Sequence, residues 1–167
     1  MPLVDFSQLP DDARVWVFGS DRPLNDSQRT RLLAIVDDHL ARWTAHGAPL
    51  TCAREWTENQ FLTIGVDQRT EGASGCSIDA LFHTLQQLER DLDISLVGGG
   101  RVFYRTRNGD VNAVDREEFF GLAERGAISR ETPVFDTTVT TLGDWRSRFE
   151  GPAAGSWHGQ LLPADGR

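Results

Sequence analysis

The residue with the most chemistry to offer in this chain is Cys76, a thiol set among glycine and small polar residues in Gly72-Ala73-Ser74-Gly75-Cys76-Ser77-Ile78-Asp79, just ahead of a patterned helix. A helix start supplies unpaired N–H groups and positive dipole, which favour a thiolate and any bound anion. Cys76 is thus a candidate nucleophile, with the backbone N–H groups of Ser77 and Ile78 as candidate oxyanion donors and Ser74, Gly75, Ser77 and Asp79 as candidate ligand contacts. The carboxylate of Asp79, in the same first turn, works against a thiolate by like-charge repulsion. A second reading stands beside the reactive one: Cys76 is a small buried residue, Ser77 the N-cap, and Asp79 a complement to the helix dipole.

A thiol nucleophile needs a base, and the chain offers His39, His46, His83 and His158. His39 lies on the apolar stripe of a helix and His83 on a polar helix face. His46, in Trp43-Thr44-Ala45-His46-Gly47, and His158, in Ser156-Trp157-His158, sit at chain reversals from which a side chain can reach a cleft, so these two are the candidate bases. No Cys-x-x-Cys or His-x-x-x-His pair offers a local chelate, so neither a metal nor any other cofactor is expected. Cys52 and Cys76 are expected as two free thiols.

The elements that must hold these residues follow from periodicity. Arg14 to Gly19 reads as a first strand. Leu32, Ile35, Val36, Leu40 and Trp43 line one stripe of a helix that begins near Asp26 and stops at Gly47 and Pro49. Leu50 to Thr57 and Gln60 to Val66 form a hairpin through Glu58-Asn59, and Ile78, Leu81, Phe82, Leu85, Leu88 and Leu92 define the second helix. After Gly98-Gly99-Gly100, Asn108-Gly109 predicts a type I′ turn between Val102–Thr106 and Val111–Val114. Asp115 with Glu118 caps a short third helix that Gly126 ends, and Val134 to Thr141 closes the fold as a strand. The order predicts an α+β domain over residues 1–150, with a ferredoxin-like split βαβ core (βαββαβ) extended by a C-terminal hairpin, helix and strand. Residues 151–167, rich in Gly, Ala and Pro, read as a mobile tail anchored by Trp157.

Length and composition narrow the function. The 167 residues, 39% of them hydrophobic, can close a core, and no window nears the ~20 apolar residues of a membrane span. Membrane insertion is therefore not expected, and with no secretory pattern at the start the expected compartment is the cytoplasm. A net charge of −8 disfavours nucleic acid, whose phosphates repel an acidic chain. All seventeen basic residues are arginine, and Asp outnumbers Glu sixteen to nine. Such a composition fits either a GC-biased genome or adaptation to a salt-rich cytoplasm.

The segments Trp43 to Gly47, Gly72 to Asp79, Thr132 to Val139 and Ser156 to His158 resemble a family of small bacterial proteins often labelled "ABC transporter ATPase". The resemblance runs from about Leu9 to His158 and implies no particular catalytic residues. An ATPase of that class needs G-x-x-x-x-G-K-[ST], and this chain has no lysine. The expected function is a non-catalytic or regulatory protein that binds a protein or small-molecule partner near residues 67–79. The alternative is a thiol-dependent enzyme using Cys76.

Overall fold

A computed structural model describes residues 3–69 and 71–164 of the chain. Its strands are β1 (Arg14–Gly19), β2 (Thr44–Ala45), β3 (Ala48–Pro49), β4 (Cys52–Thr57), β5 (Phe61–Val66), β6 (Arg101–Arg105), β7 (Val111–Asp115), β8 (Pro133–Phe135) and β9 (Glu150–Pro152). Its α-helices are α1 (Asp26–Ala41), α2 (Gly75–Leu92), α3 (Arg116–Glu124) and α4 (Leu142–Arg148). Two compact units emerge, one of residues 1–97 with 138–147, the other of residues 98–137 with 148–167. Each unit closes its own sheet over its own core.

Unit 1 is built on a sheet of order β1-β5-β4, antiparallel throughout. β1 and β4 therefore point the same way on either side of β5, the arrangement that the α1 crossover produces. β5 is buried at every position because both its edges are paired and both its faces are covered. On one face Leu62, Ile64 and Val66 pack with Leu32, Val36 and Leu40 of α1 and Leu81, Leu85 and Leu88 of α2. On the other, Val15 and Ala53 meet Phe6, Leu9, Val139 and Leu142. Gly65 permits that second layer: a Cβ there would stand 2.8 Å from Leu9 Cδ1.

The four-stranded ferredoxin-like sheet does not form. Its fourth strand would lie beside β1 and come from β6, but β6 pairs with β7 and β8 in another sheet. The free edge of β1 is met instead by a single bridge from Arg14 to Thr141 and by the bond from Val15 N–H to Thr140 O.

Unit 2 holds a sheet of order β7-β6-β8-β9. Val102 and Tyr104 from β6, Val134 from β8, Phe119 and Ala123 from α3, and Ile128, Ala153 and Leu162 form its core. The expected strand over 134–141 is short, because the chain turns after Phe135 and Thr141 then starts α4 by accepting the Asp144 N–H at 3.2 Å. Residues 151–164 are not a loose tail. Glu150 to Pro152 pairs with β8, and two 3₁₀ turns follow over 153–155 and 157–161. At Asn108-Gly109 only the glycine has positive φ (90°), and its N–H donates to Thr106 O at 2.9 Å. That is a type I turn closed by a left-handed glycine, within a five-residue loop, in place of the expected type I′ turn.

Candidate functional site

A type I′ turn stands at His46-Gly47, where φ is 52° and 79° between the paired residues Ala45 and Ala48, and Glu58-Asn59 repeats the two positive φ values, 57° and 51°, with Gln60 N–H donating to Thr57 O at 3.0 Å. Histidine is among the few non-glycine residues that visit this left-handed region with some frequency. The turn lifts His46 into solvent just beyond the end of α1. Trp43, buried at the base of the same hairpin, donates its indole N–H to Ser77 O at 2.8 Å and so ties this corner to the first turn of α2.

That first turn differs in detail from the sequence reading. Ser74, not Ser77, is the N-cap: its Oγ accepts the Ser77 N–H at 3.1 Å, while the Ser77 Oγ accepts the Ser74 N–H at 2.7 Å. The motif is a capping box in which serine takes the place usual for Glu or Gln. Both donors proposed for an oxyanion are consequently occupied, since Ile78 N–H also bonds to Ser74 O at 2.9 Å. The amides of Gly75 and Cys76, at the first two helical positions, have no acceptor among the described residues.

A cleft of about 480 Å³ opens at this corner, lined from α1 and its end by His39, Arg42 and Trp43, from the hairpin by Thr44 and His46, and from α2 by Ser74, Cys76, Ser77 and Ala80. Cys76 is exposed. Cys76 and His46 thus both line this cleft. Gly75 and Asp79 are exposed but do not line it, and Thr70, within the expected binding loop, lies outside the described residues.

His39 and Arg42 are the lining residues that sequence reasoning passed over. Their spacing, one helical turn apart at the C-terminal end of α1, was the available signal. His39 Nδ1 lies 3.2 Å from Thr84 Oγ1, and its Nε2 is buried without a partner among the described residues. Burial holds this imidazole below its ordinary pKa, Arg42 adds to the effect, and Asp38 opposes it. Arg42 is ion-paired to Asp38 one turn back.

His158 does not belong to this site. It is wholly buried in unit 2, with Nδ1 2.7 Å from Ser156 Oγ and its ring stacked on Trp157 at 4.0 Å between centroids. Burial pushes its pKa down to about 4, only partly opposed by Asp136. A neutral, solvent-excluded imidazole of this kind cannot serve a thiol at the surface of unit 1.

Cys52 is the other free thiol, buried beneath α1 with Sγ donating to Leu40 O at 3.4 Å, and burial raises it to about 12. Just before the 71–79 segment, Asp67 is held by two guanidinium N–H groups of Arg69, which keeps its carboxyl below the usual range. Among the described residues no three His, Cys, Asp or Glu side chains gather as metal ligands, and no helix is long and apolar enough to cross a membrane.

No family model, curated protein or solved structure matches this chain.

Proposed function

We propose that the chain is a non-catalytic, cytoplasmic binding protein and that the cleft between the end of α1 and the start of α2 takes a small anionic ligand. What carries this reading is the lining itself: a guanidinium, two imidazoles, one of them with an orphaned buried nitrogen, and an uncommitted Cys76 amide, with no carboxylate. In a chain of net charge −8, such a surface favours an anion only locally, by short-range donors and not by long-range attraction. Membership of the family suggested by the Gly72 to Asp79 motif is part of the same proposal. ATP hydrolysis of the ABC type is not, for want of any lysine to complete G-x-x-x-x-G-K-[ST]. Titrating ¹⁵N-labelled protein with acetate, malonate and citrate tests it. Saturable shifts at Gly75 and Cys76 that are lost in Arg42→Gln are expected; their absence for all three anions overturns the reading.

One observation favours a second reading, namely that exposed Cys76 faces the same cleft as His46. On it, Cys76 is a nucleophile and His46 its base. Iodoacetamide should then alkylate Cys76 faster than a free thiol near neutral pH, and His46→Ala should remove the difference. Alkylation at the free-thiol rate across the whole pH range rules that chemistry out.

A further inference from the structure

Unit 2 carries a separate cleft of about 550 Å³, well inside the ~300–1,000 Å³ range of small-molecule sites. Its walls come from the β6 end and following loop (Tyr104, Arg105, Thr106, Arg107), the α3 end (Arg125, Gly126, Ala127) and the loop into β8 (Ser129, Thr132, Pro133). Three arginines therefore line one hollow, and they are not equivalent. Arg105 is fixed: its Nε and Nη2 donate to Glu150 at 2.7 and 3.1 Å and its Nη1 to Gly109 O at 2.7 Å. Arg107 and Arg125 are exposed and make no ion pair with any described residue.

Two hydroxyls in the same lining are half used in the same sense. Thr106 Oγ1 accepts the Asp110 N–H at 3.2 Å, and Thr132 Oγ1 accepts the Ser129 N–H at 2.9 Å. Each oxygen is pinned by a backbone amide, yet neither O–H has an acceptor among the described residues. The cleft is thus lined by two arginines without ion pairs and by two free hydroxyl donors from three chain segments, and none of its lining residues is acidic, while Arg125 also borders a neighbouring hollow with Asp115, Glu117, Glu118 and Glu124.

From this donor set we infer that the cleft binds the phosphate group of a small molecule. A planar carboxylate offers two oxygens and is satisfied by one guanidinium fork. Donors spread over three segments suit a tetrahedral group with three terminal oxygens and a double charge. The site is independent of the Cys76 cleft and goes beyond the function proposed above. Its setting differs too: unit 2 has eight arginines against nine carboxylates, so it lacks the acidic excess that repels anions from unit 1.

The test uses the full chain, inorganic pyrophosphate as probe and malonate as a dicarboxylate control, with binding followed by amide shifts. Pyrophosphate should move residues 105–107 and 125–132 saturably and bind at least tenfold more tightly than malonate. Arg107→Gln combined with Arg125→Gln should weaken it at least tenfold. Arg130→Gln, an exposed arginine outside the lining, should leave the affinity as it was. All three substitutions are at exposed positions, and an unchanged amide spectrum elsewhere establishes that the fold is kept. The inference is overturned if the double variant binds as tightly as the parent, if Arg130→Gln costs as much, if malonate equals pyrophosphate, or if the shifts fall at Gly75 and Cys76 instead.

Discussion

The two units place the same residue type in different circumstances. In unit 1, nine arginines face sixteen carboxylates, and Arg22, Arg29, Arg42, Arg54, Arg69 and Arg146 are each held by an aspartate. In unit 2, Arg105 and Arg148 are paired and Arg116 lies over the Trp157 ring, while Arg107 and Arg125 line a cleft without an ion pair to any described residue. Histidine shows the reverse. His39 and His46 line the unit 1 cleft, whereas His158 is sealed in the unit 2 core. The lesson is that composition alone misplaces the chemistry: the residue that is structural in one unit is available in the other, and the local supply of carboxylates and apolar cover decides which.

The largest effect that sharpens this contrast is acid sensitivity carried by His158. Its native pKa of about 4 lies below the ordinary value of 6.5. Between those two values the unfolded chain binds a proton that the native state refuses, so stability falls as pH drops from about 6.5 to about 4 and levels off below. The whole loss amounts to at most about 3 kcal/mol. Denaturant unfolding at pH 7, 5.5 and 4 should show it, and His158→Gln should flatten the slope. The Asp67 pair in unit 1 acts elsewhere on the scale. Its carboxyl is held below the usual range by the Arg69 guanidinium, so its contribution is lost only as pH falls through that lowered value. An undiminished slope in His158→Gln would break the distinction between the units.

Much of this architecture was legible in the residues, and the failures have physical causes. α1, α2 and α3 were readable because apolar positions recur with the helical period and polar caps mark where each begins. The β4–β5 and β6–β7 hairpins were readable because each joins neighbours in sequence. What was lost depends on distant pairing. Nothing local in Arg101–Arg105 tells β6 to pair with β8 instead of entering the sheet of unit 1. Nothing in the Gly- and Pro-rich run after Glu150 announces that it will pair with β8. His158 looks solvated in a tail and is buried only because that run folds back. Ser74 and Ser77 are chemically identical, so which one caps α2 depends on the direction from which the chain enters. The start of α4 was missed although Thr141-Leu142-Gly143-Asp144 carries the spacing of a cap. That Cys76 and His46 could line one cleft was visible from their places at a helix start and a chain reversal, but the Trp43 to Ser77 bond that ties the two segments together was not.

A smaller effect separates the caps. α1 and α2 of unit 1 begin with reciprocal capping boxes, at Asn25 with Gln28 and at Ser74 with Ser77. α3 of unit 2 begins with Asp115 accepting the Glu118 N–H at 2.7 Å. Ser74→Ala should cost about 1 kcal/mol and raise amide exchange across the first turn of α2, leaving α3 unaffected. A neutral Ser74→Ala would mean that α2 owes its start to packing of Leu81 and Leu85 and not to its cap.

The smallest effect comes from salt, and it tests whether the charge imbalance has a physical consequence. The net charge is −7 in unit 1 and −1 in unit 2 when arginine is set against Asp and Glu. Molar KCl shortens the screening length from ~10 Å at 0.1 M to ~3 Å, which suppresses repulsion among carboxylates spread over a surface. It also weakens the ion pairs of unit 1, but exposed pairs contribute only about 0–1 kcal/mol each and their contact geometry resists screening better than charges farther apart. Repulsion among the unpaired excess should therefore dominate. Amide protection in unit 1 is expected to rise between low and molar KCl while that in unit 2 holds steady. Equal gains in both units would point to a general salting effect on apolar burial. Flat or falling protection in unit 1 would mean that its acidic surface is not adapted to salt, leaving codon bias as the source of the arginine-only composition.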